Sequence, residues 1–296
     1  PPNAAKADER PDAWKLARFL SHPAREFAER VYDLQLPDPR EFEAEHEPLL
    51  MLPPGPDLSL GRRIMELQLQ QADPSRFHGA IHAYNADMEE GLSQLAVSRV
   101  LENFRQIPNY RGSDRPSPLD AVELRLGTYA SRHGIELEIP EIPKNSHAST
   151  IAFFTPAADR TGYRLQVWVY ALCLWLSPAT ASRVVLFTKD KTTAFVRPDA
   201  PADYLESIIG LYLEHQGHPM PFFPETSLRA FTKALPPDEL RHCPSWQGRS
   251  GEKHDRYNEV CFRDNPPFTE EFGAIAQTIY EPWTRWMDPP LKAIAR

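Results

Sequence analysis

The sequence lacks most features of secreted, membrane or nucleotide-hydrolysing proteins. The three cysteines, Cys173, Cys243 and Cys261, cannot all pair and have no metal-type spacing, which favours a reducing compartment. The longest apolar run is about one helix long and is interrupted by Gln166, so no membrane span is predicted. No signal-peptide pattern and no glycine-rich phosphate loop is present. We therefore expect a cytoplasmic protein with no membrane contact and no ATPase activity of its own.

Glycine is scarce and proline is abundant, with 13 glycines against 31 prolines. Proline fixes the backbone angle φ, so this composition predicts many stiff, extended connections. Such a surface suits docking into a larger assembly, although rigid loops in a lone thermostable protein would have the same composition. The formal net charge of −8 argues against a chain whose whole surface wraps nucleic acid, but it permits a local basic patch.

The most informative segment is a short apolar strand followed by an apolar helix. The strand is predicted at 151–154, and the helix runs from Tyr163 to Leu176. Because this helix is apolar nearly all round, it should be buried at the centre of the fold. Its two polar residues, Gln166 and Tyr170, are four apart and so share one helical face.

Hydrophobic periodicity predicts a mixed helical and β protein along the rest of the chain. A helix pair is expected at 13–34, with Asp12 capping its first helix and Ser21 its second. The segment 236–267 is rich in breakers and charge and should be mostly irregular. Further helices are predicted at 58–71, 78–106, 202–215, 228–235 and 269–287, and strands at 124–126, 135–139, 184–188 and 193–196.

Several motifs occur in the order found in one known family. Leu16 to Phe27 is similar to the Phe-x-x-Pro-x-x-x-Phe helix pair that opens RecB-, AddB- and RecC-type nuclease domains. Glu47-Pro48-Leu49, the central helix with Gln166 and Tyr170, the following hairpin, and the stretch from Pro219 to Ser227 come next. Together, over roughly residues 14–288, they resemble the C-terminal domain of RecC, the gamma subunit of exodeoxyribonuclease V. The fixed order of the motifs is more specific than any single motif.

The resemblance implies a fold. It is an α/β (α+β) protein with a restriction-endonuclease-like PD-(D/E)xK core, a small mixed sheet flanked by helices, and a large helical N-terminal addition. We expect a loose segment at 1–12, a mainly helical part at 13–120, the nuclease-like core at 121–235, and an irregular segment with a C-terminal helix at 236–296. Residues 13–296 would then form one domain.

The catalytic residues of such a nuclease are missing from the expected positions. An active member needs an acid and then acid-x-Lys on neighbouring strands, so that the side chains converge on a divalent metal ion. In the best register, Phe153 stands at the acid position and Thr155 at the lysine position. Gln166 and Tyr170 would remain as a degenerate pair that forms hydrogen bonds in the core. We therefore expect no catalytic residue, no metal ion and no cofactor.

Other ligand-type residues form looser groupings in the sequence. Glu136 and Glu138 share one face of a strand and could in principle hold a metal ion, but exposed alternating glutamates are common on amphipathic strands. His78 and His82 would share a helical face without a third ligand. A looser cluster of His242, Cys243, His254 and Cys261 could bind zinc only if the chain brought its members together.

The expected function follows from the resemblance. The chain would be a catalytically silent scaffold and subunit-interaction domain in a RecBCD-like helicase-nuclease that processes double-strand breaks for homologous recombination and DNA repair. Its partners would be RecB-like and RecD-like subunits and forked double-stranded DNA, with no small-molecule substrate. Two alternatives stay open: an active RecB-like metal-dependent exonuclease, and a protein-interaction module unrelated to DNA.

Overall fold

The computed structural model describes residues 12–36, 98, 128–138, 146–147, 150–154, 158–176, 182–188, 190–249, 251–263 and 268–288. The predicted helix at 58–71 and the predicted strand at 124–126 lie outside these residues. Of the predicted helix at 78–106 only residue 98 is described, and it is helical.

The predicted N-terminal helix pair is present as α1 (Ala13–Ser21) and α2 (Pro23–Tyr32). Asp12 caps α1 as predicted, because its carboxylate accepts a hydrogen bond from the backbone N–H of Lys15 at 2.6 Å. The predicted Ser21 cap of α2 is wrong. Pro23 occupies the first turn of α2, so His22 takes the cap position and accepts from the backbone N–H of Arg25 at 3.3 Å.

Two separate sheets follow along the chain. The first is an antiparallel hairpin of β1 (Thr128–Ala130) and β2 (Glu136–Glu138). The second has five strands in the order β3 (Ser146–His147), β4 (Thr150–Phe154), β5 (Arg183–Phe187), β6 (Thr192–Val196) and β7 (Met287–Asp288). The β4–β5 pair is parallel and the other pairs in this sheet are antiparallel. The described residues therefore form a mixed α+β fold, as predicted.

Helix α3 (Thr161–Leu176) connects the two parallel strands and forms the centre of the core. A parallel pair needs such a crossover, because its strands start at the same edge of the sheet. Trp168 of α3 lies 5.9 Å from Trp175 and 5.4 Å from Phe195 of β6, measured between ring centroids. Helix α1 packs on the start of α3, where a Cβ at Gly162 would be in ordinary van der Waals contact, 3.6 Å from the carbonyl oxygen of Ser21.

The remaining helices cover the core and correct one prediction. They are α4 (Pro201–Glu214), α5 (Pro224–Lys233), α6 (Pro237–Arg241), α7 (Pro244–Gln247), a 3₁₀ turn (Glu252–His254), α8 (Arg256–Phe262) and α9 (Glu270–Arg285). The segment 236–267 was predicted to be mostly irregular, and that is wrong for the residues described there. Helices α5, α6 and α7 each have proline in their first turn, where the missing N–H costs nothing. The prolines that suggested breaks therefore start helices, and α5 begins four residues before the prediction.

Within the described residues, no helix is both long and apolar enough to cross a membrane.

Glu206 attaches the β1–β2 hairpin to helix α4. This side chain is buried, and it accepts hydrogen bonds from the hydroxyls of Tyr129 and Ser131 at 2.8 Å and from the backbone N–H of Arg132 at 2.9 Å. Burial opposes ionisation, but these donors outweigh it and hold the pKa of Glu206 below its ordinary value of 4.5. The carboxylate therefore acts as the anchor of the hairpin.

We predict that Glu206→Gln lowers the free energy of unfolding by about 2 kcal/mol near neutral pH, because three hydrogen-bond donors, the buried Ser131 hydroxyl among them, lose a charged acceptor. The measurement is urea denaturation followed by circular dichroism. A lowered folded-state pKa adds stability above the unfolded-state value of 4.5, and this stability is lost as the pH falls through the folded-state pKa. The variant should therefore show a smaller loss of stability than the wild type as the pH falls below 4.5.

Asp203→Asn is the matched control, because Asp203 lies one turn earlier on α4 and forms an ion pair with Arg132 at 2.7 Å. Both side chains of this pair are exposed, so the change should cost less than about 1 kcal/mol. Equal losses for the two variants would contradict the anchoring role of Glu206.

Candidate functional site

The end of β4 and the middle of α3 bring two aromatic rings together. The ring of Phe153 stacks on that of Tyr170, with centroids 5.9 Å apart and planes inclined by 16°. Both side chains are partly buried against the core. Thr155, which follows β4 in the sequence, lies outside the described residues. At the sequence position expected for an acid, the structure therefore has an apolar side chain engaged in a stacked pair.

Gln166 contacts the N-terminal helix pair. Its side-chain amide donates to the hydroxyl oxygen of Ser21 at 2.9 Å, and that hydroxyl donates to the carbonyl oxygen of Arg18 at 3.1 Å. This chain of hydrogen bonds joins the end of α1 to the face of α3. Gln166 and Tyr170 thus share a helical face, as the spacing predicted, but have different neighbours: the end of α1 and the ring of Phe153.

A cluster of charged side chains lies at the N-terminal end of α3. Asp159 has one carboxylate oxygen 3.0 Å from Nε of Arg164 and the other 3.4 Å from Nζ of Lys191. Asp190, at the tip of the β5–β6 hairpin, accepts from the backbone N–H of Asp159 at 2.7 Å. Burial tends to raise the pKa of Asp190, but this bond and one from the Thr188 hydroxyl outweigh it and lower the pKa. Both oxygens of Asp159 therefore have cationic partners.

A sequence profile of the RecC C-terminal domain family matches residues 9–235 of this 296-residue chain. The chain belongs to the RecC C-terminal domain family. The resemblance drawn from the order of the motifs is thereby confirmed. Comparison with curated proteins finds no match. The family is that of the RecC component of RecBCD-type complexes, which implies RecB and RecD partners and a context of DNA repair.

The match extends from before α1 to the end of α5 in this RecC-type domain. It includes Phe153, Tyr170, Gln166 and Ser21. Helices α6 to α9 and strand β7 follow the matched range, although β7 completes the five-stranded sheet and α9 packs into the core.

The other predicted ligand-type residues that the structure describes lie in other parts of the fold. Glu136 is exposed on β2, in the two-stranded sheet rather than the five-stranded one, and the side chain of Glu138 lies outside the description. Cys243 is buried beside Ser245, and the thiol of Cys261 lies against the carbonyl oxygen of Ala24. Among the described residues, no group of three or more histidine, cysteine or acidic side chains could hold a metal ion. The pair His78 and His82 lies outside these residues.

Sequence reasoning missed Asp159 and Ser21 as members of this region. Asp159 lies in a polar turn before α3, and nothing in its spacing shows that Lys191, more than 30 positions later, would reach it. Ser21 was assigned to a helix cap, because serine before proline at a helix start is typical of that role. Only tertiary packing brings it to Gln166.

We predict that Ser21 and Gln166 are energetically coupled. Ser21→Ala, Gln166→Ala and the double variant should give a coupling energy of about 1 kcal/mol in a double-mutant cycle, because a partly buried hydrogen bond is shared between them. The measurement is urea denaturation. As a control, Gln166→Ala combined with Ser207→Ala should be additive, since the exposed Ser207 hydroxyl donates within α4. Equal coupling in both cycles would contradict a specific bond between α1 and α3.

Proposed function

We propose that this RecC-type chain is a catalytically silent nuclease-fold domain. It acts as a scaffold and subunit-interaction domain in a RecBCD-like helicase-nuclease that processes double-strand DNA breaks for homologous recombination. The observation that carries the proposal is the stacking of Phe153 on Tyr170. It occurs on the strand and helix where an active nuclease of this superfamily would hold its metal ligands.

The arrangement of β4, α3, β5 and β6 supports a nuclease-like core. A strand leads through a helix bearing Gln166 and Tyr170 to a parallel neighbouring strand, and an antiparallel strand follows. Catalysis on this scaffold needs carboxylates that bind a divalent cation, which activates water and stabilises charge on the phosphate. A phenyl ring offers no oxygen ligand. The carboxylate of Asp159 is already neutralised by Arg164 and Lys191.

The packing supports a scaffold role. One hydrophobic cluster contains residues of α1, α3, α4 and α9 together with β5, β6 and β7. Helix α1 and the C-terminal helix thus share the core of the sheet, which supports the assignment of residues 13–296 to one domain. Such a unit can present fixed surfaces to RecB-like and RecD-like subunits.

We predict that the purified chain neither binds magnesium at this position nor cleaves DNA. Isothermal titration with magnesium chloride should give no binding heat, because the described residues include no group of three or more histidine, cysteine or acidic side chains that could hold a metal ion. Single-stranded DNA with Mn²⁺ should remain uncut over hours on a denaturing gel.

Glu136→Gln and Glu138→Gln are the variants that test the rival reading of an active exonuclease. Cleavage by the wild type that either substitution abolishes would overturn the silent assignment. Magnesium binding that Phe153→Ala alters would also overturn it.

A second experiment addresses the scaffold role. The tagged chain, co-expressed with RecB-type and RecD-type subunits of the same source, should recover at least one of them on affinity purification. The control is an unrelated helical protein of similar size that carries the same tag and should recover neither subunit. Recovery of neither subunit would favour an interaction module with no part in such a complex.

A further inference from the structure

The segment from Arg241 to Arg256 presents a basic surface on an acidic protein. Within it the sequence has four residues of fixed positive charge and two acids, whereas the whole chain has a net charge of −8. All four basic residues are exposed, and so are two histidines. We call these residues the basic surface: Arg241, His242, Arg249, Lys253, His254 and Arg256.

Glu252 faces the protein rather than solvent. Its carboxylate accepts hydrogen bonds from the backbone N–H groups of Glu225 at 2.9 Å and Thr226 at 2.8 Å, at the start of helix α5. Burial raises the pKa of Glu252 to about 7, although these bonds act in the opposite direction. Near neutral pH the acid therefore contributes less than a full negative charge, and that charge lies against the positive end of a helix.

Asp255 also binds groups of the fold, although its side chain is partly exposed. One of its oxygens accepts from the backbone N–H groups of Tyr257 and Asn258 at the start of α8, and the other lies 3.1 Å from Nε2 of His22. Burial tends to raise the pKa of Asp255, but the contact with His22 and the backbone donors lower it overall. Both acids of the segment are thus bound to helix starts, whereas its basic side chains point outward.

The described residues of the segment are held in place by packing and by tight turns. Trp246 is buried in a cluster with Phe223, Phe268 and Phe272, which fixes α7 to the core. Two glycines make turns that no other residue would fit, because a Cβ at Gly248 would lie 2.4 Å from the carbonyl oxygen of Pro244 and one at Gly251 would lie 2.2 Å from that of Trp246. Since the turns are fixed by backbone contacts, the positions from which the basic side chains project are fixed as well.

The basic side chains have few local counter-charges. Arg241, Arg249 and Lys253 form no ion pair with any acid in the part of the chain that the structure describes. The exposed acids that follow or precede them in sequence, Asp238, Glu239 and Glu259, lie beyond the two ends of the segment. Unpaired cations on a fixed surface are suited to a polyanion, because each phosphate neutralised releases condensed counterions.

We propose that the basic surface binds the sugar-phosphate backbone of DNA without reading its base sequence. This inference rests on the proposed function, which brings forked DNA to the complex, and it assigns the contact to a segment beyond the family-matched range. The surface shows side chains suited to phosphate and, among its described residues, no exposed phenylalanine, tyrosine or tryptophan on which a base would stack, so duplex DNA is the expected ligand.

The test uses the full chain and a fluorescein-labelled duplex of about 20 base pairs, with binding followed by fluorescence anisotropy between about 50 and 200 mM salt. The wild type should bind, with the logarithm of its association constant falling by about 0.9 per phosphate contacted for each tenfold rise in salt. Arg249→Gln combined with Lys253→Gln should weaken binding about tenfold at low salt and make the slope shallower by about 2. Duplexes of different sequence should behave alike.

Arg183→Gln combined with Arg285→Gln is the matched control. It removes the same charge from two exposed arginines near the C-terminal end of α9, whereas the Trp246 cluster contacts the N-terminal end of that helix. A helix of 16 residues separates these ends by about 24 Å. The melting temperature of each double variant should equal that of the wild type, which shows that both variants are folded.

Three results would overturn the proposal. The first is that the wild type does not bind the duplex at low salt. The second is that both double variants weaken DNA binding equally. The third is that the Arg249 and Lys253 double variant binds DNA as the wild type does but no longer recovers the RecB-type or RecD-type subunit. The last result would assign the surface to an acidic protein partner. Recovery of the partner subunits does not depend on DNA, so failure of DNA binding alone leaves the proposed scaffold function standing.

Discussion

The burial of helix α3 determines the arrangement of the elements around it. Its side chains from Leu165 to Trp175 are apolar on almost every face, so the sheet alone cannot cover them. Helices α1, α4 and α5 pack against it, and residues of α9 join the same cluster. Each large apolar side chain that is fully buried contributes about 1.5–3 kcal/mol, so a missing cover would expose several such contributions at once. A helix of this composition therefore requires elements that lie far apart in the sequence.

The helices that cover α3 are joined at their ends by acids from distant segments. Glu225, in the first turn of α5, accepts from both the backbone N–H and the hydroxyl of Thr161 at the start of α3. Glu252 accepts from backbone N–H groups at the start of α5. Asp255 caps α8 and also contacts His22, which lies between α1 and α2. Because each carboxylate meets unsatisfied N–H groups, one side chain satisfies a helix end and fixes a tertiary contact. Glu225, Glu252 and Asp255 consequently each bind the start of a helix, whereas the basic residues between Arg241 and Arg256 are exposed.

The sequence predicted the elements that depend on local patterns. The period of apolar residues located α3, α4, α9 and the β5–β6 hairpin, and Asp12 located the start of α1. It failed where the same residue type has two roles: prolines that often break structure instead begin α5, α6 and α7, because position within the first turn decides their effect. It also could not place side chains whose partners are remote. The Ser21–Gln166 bond, the Asp159 cluster and the inward orientation of Glu252 depend on how complete elements pack, and no short pattern encodes that.

Under the proposed function, loss of catalytic chemistry and gain of stability are connected at one position, the stacked pair of Phe153 and Tyr170. A metal site requires carboxylates close together, and without the cation these charges repel each other and lose hydration as they are buried. An aromatic side chain at the acid position avoids both costs, and its stacking on Tyr170 adds about 0.5–1.5 kcal/mol beyond the area that it buries. If the partner subunits supply catalysis, a cluster of carboxylates without a metal ion would only destabilise this domain. Under the proposed function, the former site then contributes to the rigidity that a scaffold requires, because the same strand and helix that once positioned a metal ion are now held together by packing.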